Sequence, residues 1–249
     1  MPPSSRMYSR VGFLVRRARE TLRYEGGGAF LVRLTAKWAR RFARVGLVRL
    51  YRKDLRTPLP EMPGRTDITV AQATETDLDR LVELVAEYEH PLGDPGREAR
   101  RRINARLVER FRRGWRCFAA MGGGSIVHYN WIAVDWADAF EPDLGRFIVL
   151  APGEAFCLDA YTAEGWRGKG VHPVVNRAML AFLREQGYRT AYTNVAEQNR
   201  SAWRAVEQLG WERSGVMLYV RRNGARRTRV WRLAGTLEPF VAERVEGAG

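Results

Sequence analysis

The sequence contains few cysteines, few histidines and no long apolar run. Cys117 and Cys157 are its only cysteines among 249 residues, and histidine occurs three times. Two isolated thiols are too few for a zinc cluster and are typical of a reducing compartment. No window approaches the ~18–20 apolar residues of a membrane-spanning helix, and no apolar core follows Arg6 and Arg10 as a secretory signal would require. We therefore expect a cytoplasmic protein without a bound metal.

Acidic residues are scarce in the N-terminal part of the chain. Residues 1–57 hold 15 basic and three acidic residues, a formal charge of +12, whereas the whole chain carries +14. Apolar residues make up 45% and charged residues 28% of the sequence, which is ordinary globular composition. The pattern predicts a nearly neutral body with a cationic N-terminal segment. The total charge alone therefore does not identify a nucleic-acid-binding domain.

The cationic segment predicts a pair of basic amphipathic helices. Apolar residues recur at helical spacing from Met7 to Leu22 and again from Leu31 to Val45, with three glycines at 26–28 between the two stripes. Prolines then cluster around residue 60, which indicates a linker. We therefore divide the chain into four parts, which are a helical appendage (1–57), a linker (58–65), a globular domain (66–234) and a C-terminal tail (235–249).

The globular domain predicts an α/β fold with three layers, in which helices flank a mixed central sheet. Its elements follow in the order β-α-α-β-β-β-α-β-α-β-β. Glycines at 122–124 predict a tight connection between two strands, and Asn223-Gly224 predicts a second hairpin. Residues 137–153 show neither the helical nor the strand spacing of apolar residues, so we expect an irregular insertion there.

The turn Arg167-Gly-Lys-Gly-Val-His172 carries the clearest chemical motif. It lies between a predicted strand and a predicted helix. Glycines in such a turn let backbone N–H groups converge, and the helix N-terminus adds a partial positive charge, so the turn is suited to a pyrophosphate. A second motif, from Asn199 to Trp211, follows about thirty residues later.

The two motifs together resemble the GNAT superfamily of acyl-CoA-dependent N-acyltransferases. Members of that family show R-G-x-G-[IV]-G after a strand, then N-x-x-A near a helix start and L-G-F at its end. The resemblance covers roughly residues 67–233 and leaves the cationic segment unexplained. It implies a GNAT-like fold, acetyl-CoA or another acyl-CoA as co-substrate, and direct attack by a primary amine in a ternary complex. The resemblance does not decide whether the amine that accepts the acyl group belongs to a small molecule or to a peptide.

The resemblance also implies which residues hold the cofactor. Backbone groups of the strand before the turn would bind the acyl-pantetheine arm, and one N–H there would stabilise the oxyanion. These strand residues are Leu158, Ala160, Tyr161 and Thr162. The backbone amides of the turn would hold the pyrophosphate, and they belong to Arg167, Gly168, Lys169, Gly170, Val171 and His172. Asn199 would contact the cofactor near the pantetheine arm.

The general base has two candidates. One branch of the family carries a glutamate thirteen residues before the motif arginine, a position that Glu154 holds here. Other members place a glutamate five residues before the motif asparagine, where this chain has Asn194, which cannot accept a proton from an amine. Glu154 is therefore the first candidate. Asp159 is the second, with a structural hydrogen-bonding role as its alternative.

The sequence departs from the family at a position where many members have a tyrosine that acts as the general acid. Val206 stands at that position, so the usual proton donor to the leaving thiolate is missing. Tyr161 and Tyr192 are the candidates to replace it, unless the thiolate leaves without a donor. His172 is a second departure, because the family usually has Gly or Ala there.

The cationic segment leaves three alternatives open. In the first, its helices pack on the domain. In the second, they bind an anionic membrane surface from the cytoplasmic side, so that the protein is a peripheral membrane protein. In the third, they contact nucleic acid. The function also has an alternative, in which a GNAT-fold protein is non-catalytic or uses aminoacyl-tRNA, and its basic helices bind membrane or nucleic acid. The oligomeric state is not predicted.

Overall fold

The computed structural model describes residues 43–61, 67–90, 93–138, 146–223, 228–236 and 240–243. Within these ranges the helices are α1 (Leu78–Glu89), α2 (Gly96–Arg112), α3 (Val171–Glu185) and α4 (Arg200–Gln208). The strands are β1 (Ala43–Asp54), β2 (Thr69–Ala73), β3 (Arg116–Gly122), β4 (Ser125–Ala133), β5 (Trp136–Asp138), β6 (Arg146–Val149), β7 (Glu154–Thr162), β8 (Thr190–Ala196), β9 (Glu212–Arg222), β10 (Arg229–Gly235) and β11 (Phe240–Glu243).

Eight of the strands form one sheet in the order β10-β9-β1-β8-β7-β4-β3-β2. The β7–β8 pair is parallel and the other pairs are antiparallel. Apolar side chains of α1 and α2 pack on one face of the sheet, and those of α3 and α4 pack on the other. The three-layer α/β fold predicted from the sequence is confirmed.

Local sequence explains several of these elements. Gly123 and Gly124 both have positive φ, at 58° and 81°, as a two-residue hairpin turn between twisted strands requires. In α2, Ala99, Ile103 and Leu107 recur every four residues and are buried, so one stripe of an otherwise basic helix packs on the sheet. β4 is buried along almost its entire length because helices cover both of its faces.

Residues 43–54 form a strand, which corrects the predicted appendage of residues 1–57. β1 lies between β8 and β9 and pairs antiparallel with both. Its side chains alternate between the two cores, with Val48 and Leu50 in one and Tyr51 in the other. Since a strand in mid-sheet is part of the domain, the domain begins no later than Ala43. The first predicted helix and most of the second, within residues 1–42, lie outside the described residues.

The polar side chains of β1 are fastened to α4 and the residues around it. Arg49 donates from Nε and Nη2 to the two carboxylate oxygens of Glu197, both at 2.5 Å, and this contact holds the pKa of Glu197 below its ordinary value. The hydroxyl of Tyr51 donates to Glu207 at 2.9 Å. Lys53 Nζ donates to the carbonyl of Gly210 at 3.0 Å. Some basic residues of the N-terminal segment therefore form hydrogen bonds and an ion pair within the domain.

The predicted insertion and tail form a second, smaller sheet. Strands β5 and β6 lie in the segment expected to be irregular, and β11 lies in the expected tail; the sheet order is β11-β6-β5. Both predictions are wrong at these residues, because short strands from distant parts of the chain complete each other. No helix in the described part of the chain is long and apolar enough to cross a membrane.

The position of β1 predicts how single substitutions on it affect stability. Leu50 is fully buried, whereas Val45 on the same strand is 47% exposed. We expect Leu50→Ala to lower the free energy of unfolding by about 3 kcal/mol, and Val45→Ala by less than about 0.5 kcal/mol. Urea denaturation of the full chain measures both. Similar small losses at the two positions would show that β1 is not a core strand.

Candidate functional site

The parallel strands β7 and β8 separate partway along their length, and we call the gap between them the cleft. The two strands pair only from Glu154–Thr190 to Cys157–Thr193. Beyond that point β7 continues along β4 to Thr162, and β8 continues along β1 to Ala196. The hydroxyl of Thr193 donates to the carbonyl of Cys157 at 2.8 Å as the last link between them. Past this link β7 and β8 no longer pair with each other, although each keeps its other neighbour in the sheet.

A β-bulge in β7 lies at the start of this cleft. The register with β4 shifts between the pairs Tyr129–Tyr161 and Trp131–Leu158, so that Asp159 and Ala160 stand opposite a single residue. Ala160 is exposed although its strand is internal to the sheet. A bulge leaves its extra residue outside the hydrogen-bonded ladder. A backbone N–H that is free of the ladder is the kind of donor that an oxyanion would require.

The glycine-rich turn lies at the end of β7 and leads into α3. Gly168 and Gly170 have φ of 72° and 74°, which glycine adopts without steric cost. Gly170 is the N-cap of α3 and offers no side-chain cap, and the first turn of α3 contains no acidic residue. The N-terminal N–H groups of the helix and its dipole thus remain available for an anion.

The side chain of Arg167 fastens this turn to β7. Its Nε donates to the carbonyl of Thr162 and its Nη2 to the hydroxyl of Tyr161, both at 3.1 Å. Tyr161 in turn donates to Glu87 Oε1 on α1 at 3.0 Å. The guanidinium therefore links the turn, the end of β7 and a helix on the other face of the sheet.

Two histidines lie together beside the turn, although 44 positions apart in sequence. The ring of His172, the second residue of α3, lies 5.3 Å from the ring of His128 on β4. Nδ1 of His128 is 2.8 Å from Oγ1 of Thr162. Burial lowers the pKa of both imidazoles, that of His172 to about 4, so both rings are neutral at pH 7. Sequence spacing gave no reason to pair them.

The two strand-end candidates Glu154 and Tyr192 contact each other. The Tyr192 hydroxyl donates to Glu154 Oε1 at 2.9 Å, and the Ala151 N–H donates to Oε2 at 3.0 Å. Both residues lie at the closed end of the β7–β8 pair. At about 3.3 Å per residue, Glu154 is roughly 16 Å along the strand from Asp159, where the bulge begins. A proton cannot pass directly over that separation.

The other two candidates have partners that limit their chemistry. Asp159 Oδ2 accepts from Arg110 Nη1 at 2.5 Å, so this carboxylate is already paired with a cation. Burial raises the pKa of Tyr161 to about 12, and its proton is directed to Glu87. Its phenol therefore stays protonated and is not aimed at the cleft in this arrangement.

The remaining candidates pack in a core or cap a helix. Leu158 packs partly on the core beneath α1 and α2. Val206 is buried in the core beneath α3 and α4, where it supplies no proton donor. The Asn199 side chain caps α4, since its Oδ1 accepts from the backbone N–H of Ala202 at 3.2 Å and from the hydroxyl of Ser201 at 3.0 Å. Its role toward a cofactor stays a prediction.

Neither cysteine is placed for chemistry. Cys117 and Cys157 are both buried, and burial raises the pKa of Cys157 to about 12, so neither thiol is a nucleophile at pH 7. Within the described ranges, no three His, Cys, Asp or Glu side chains converge as metal ligands.

Sequence reasoning missed Arg110 and Glu87, which contact two of the candidates. Both lie on helices whose arginines and glutamates look alike in the sequence. One signal was available for Arg110, because it follows the buried Leu107 by three positions and therefore lies near the packed side of α2.

Comparison with known proteins supports the fold. No family profile matches the sequence, and no curated protein matches it. Among solved structures, a GCN5-related N-acetyltransferase from Sphaerobacter thermophilus aligns over 78% of this chain and 56% of its own length, with 16% identity and a TM-score of 0.53. The chain has the GNAT fold.

Two further structures show the same likeness at lower scores. A GNAT-family protein from Novosphingobium aromaticivorans aligns over 78% of this chain and 68% of its own length, with 18% identity and a TM-score of 0.49. A predicted acetyltransferase from Clostridium acetobutylicum, solved with acetyl-CoA, aligns over 58% and 90%, with 14% identity and a TM-score of 0.41.

Proposed function

We propose that this protein is an N-acyltransferase that moves an acyl group, acetyl in the first instance, from coenzyme A to a primary amine. The observation that carries the proposal is the alignment of three features along β7. The strand separates from β8 after Cys157 and bulges at Asp159 and Ala160, and the turn that follows it leads through two left-handed glycines to an uncapped helix N-terminus. A thioester with a diphosphate at its far end matches this order of groups.

The reaction proceeds by direct attack. The amine nitrogen attacks the thioester carbon, a C–N bond forms, and the carbonyl electrons move onto oxygen, where the N–H groups of the bulge stabilise the charge. Collapse of this adduct breaks the C–S bond, and coenzyme A leaves as the thiolate. The proton of the amine passes through water to Glu154, which Tyr192 and Ala151 hold in place. No protein acid is required, because a thiolate is a good leaving group.

A rival function keeps the fold without the reaction. Val206 is buried at the position where many GNAT proteins have a tyrosine that acts as the general acid. Its presence favours a non-catalytic binding protein, or an enzyme with a different acyl donor such as aminoacyl-tRNA. The glycine turn favours coenzyme A, because its backbone and helix dipole are suited to a diphosphate.

Substitution of a single glycine tests the cofactor site. In Gly170→Ala a side chain must adopt the left-handed φ of 74°, which costs about 1–2 kcal/mol. We expect the Kd for acetyl-CoA, measured by calorimetry, to rise about 5- to 30-fold. Gly165→Ala is the matched control, because Gly165 lies in the same segment with open space around its Cβ position and no left-handed φ, and its Kd should equal that of the wild type. Absence of binding by the wild-type chain at high micromolar acetyl-CoA would refute the proposal.

Replacement of the first candidate base tests the proton transfer. Glu154→Gln keeps the shape of the side chain and removes its basicity, so we expect kcat/KM at pH 7 to fall by about 10²- to 10⁴-fold. The loss should shrink at higher pH, because the free amine then needs no base. Glu185→Gln, an exposed position at the end of α3, is the control and should keep the full rate. An unchanged rate for Glu154→Gln at every pH would eliminate this assignment.

We further propose that residues 1–42 attach the protein to an anionic membrane surface on the cytoplasmic side. Removal of β1 from the predicted appendage leaves ten basic and two acidic residues there, a formal charge of +8. Apolar stripes between the arginines are typical of interfacial helices. The alternatives are packing on the domain and contact with nucleic acid.

Liposome flotation tests this attachment. We expect the full chain to float with vesicles containing phosphatidylserine and to remain in solution with purely zwitterionic vesicles. A chain starting at residue 43 keeps β1 and should float with neither. Failure of the full chain to float with either lipid would exclude membrane attachment, and a parallel RNA-binding assay reports the nucleic-acid alternative.

A further inference from the structure

The backbone of the cleft is strained at one residue. Asp159 is the only non-glycine residue with positive φ in the described part of the chain, at 52°. Side chains other than glycine rarely adopt this conformation, and it persists when surrounding contacts hold it. Since Asp159 is also one of the two residues of the bulge, its φ sets the direction of the peptide groups around it.

An ion pair holds Asp159 from the helix layer. Arg110 Nη1 on α2 donates to Asp159 Oδ2 at 2.5 Å, and the hydroxyl of Tyr129 lies 3.5 Å from Oδ1. The two charged side chains are 12% and 27% exposed. A charge-assisted hydrogen bond in such a shielded position is stronger than a surface ion pair.

Arg110 is itself held in place by aromatic rings. Its guanidinium carbon lies 5.2 Å from the ring centre of Trp131 and 5.5 Å from that of Trp115, within the range of cation–π attraction. Trp131 is fully buried on β4, next to the position where the register shifts. The arginine is therefore a fixed point from which the bulge can be positioned.

We propose that Arg110 and Asp159 are positioning residues, whose ion pair holds the bulge in its left-handed conformation and so aims its backbone N–H groups at the thioester oxygen. The expected effect on catalysis rests on the proposed acyl transfer. The expected effect on the backbone conformation of the bulge rests on the geometry alone. It assigns the Asp159 carboxylate a role that involves no proton transfer. It also explains why a charged residue stands in the middle of an internal strand.

A matched pair of substitutions separates conformation from chemistry. Asp159→Gly and Asp159→Ala both remove the carboxylate and leave Arg110 without it, but glycine adopts a positive φ freely and alanine does not. We expect kcat to be about five-fold or more higher in Asp159→Gly than in Asp159→Ala, with the Kd for acetyl-CoA within two-fold of wild type in both. If Asp159 were the base, the two variants would lose activity equally, and that result would overturn the proposal.

A second pair tests whether Arg110 acts through Asp159. Arg110→Met should lower kcat in the wild-type background and leave the Kd for acetyl-CoA within two-fold. In the Asp159→Gly background the same substitution should have a smaller effect, because glycine needs no ion pair to keep its φ. Arg110→Lys, which keeps the charge, should recover part of the rate. Equal effects of Arg110→Met in the two backgrounds would show that the residues act independently.

A readout without activity separates this inference from the proposed function. The unfolding equilibrium constant, measured in urea, should be about five-fold smaller for Asp159→Gly than for Asp159→Ala. If the wild-type chain transfers no acetyl group, the proposed function fails while this order of stability still tests the conformational role. If the wild type is active and the two variants are equally stable and equally active, the positioning role fails alone.

Discussion

The site depends on the limited pairing between two parallel strands. β7 and β8 exchange ladder hydrogen bonds over four residue pairs and then part, β7 toward β4 and β8 toward β1. Buried backbone N–H and C=O groups require hydrogen-bond partners. Where two strands separate inside a sheet, their backbone groups need a partner other than the neighbouring strand, and a ligand or water can supply it. The bulge, the exposed Ala160 and the glycine turn all lie along the strand that continues from this separation. Without it, they would be an ordinary strand and an ordinary turn.

Strand β1 supports the other side of the cleft. It gives β8 a second partner over seven residue pairs, from Val48–Ala196 to Asp54–Thr190. Its polar side chains also fasten the start and the end of α4, through Glu197 and through Gly210. The cap residue Asn199 lies between these two attachments. The N-terminal part of the chain therefore helps to position the face that the GNAT resemblance assigns to the cofactor.

Much of the domain could be predicted from the sequence, because its elements depend on neighbouring residues. The β3–β4 hairpin follows from Gly123 and Gly124, which favour the required positive φ. The L-G-W end of the second motif packs as expected, since Trp211 is buried and its indole N–H donates to Asn176 at 3.1 Å. The turn from Arg167 to His172 lies between β7 and α3, as the motif required. In each case the determinant lies within one element or at its ends.

The rest depends on contacts between residues far apart in sequence. Positions 31–45 show an apolar period compatible with a helix, yet Ala43 to Asp54 pair as a strand because β8 and β9 offer two open edges. Nothing near Arg110 indicates its partner Asp159, 49 positions away. The insertion and the tail form strands only because β6 and β11 meet. Each of these features is decided by the tertiary structure, which local propensity does not encode.

The central position of β1 has a consequence for the order of events during synthesis. Arg49 and Glu197, which join β1 to the region of α4, are 148 positions apart, and β9, the other neighbour of β1, follows later still in the chain. The sheet cannot close until β9, at residues 212–222, has left the ribosome, and long-range pairing of this kind slows folding. Until then, β1 lacks both of its neighbouring strands, and its apolar side chains lack the contacts that bury them. Apolar surface that stays exposed in this way during synthesis is prone to aggregation.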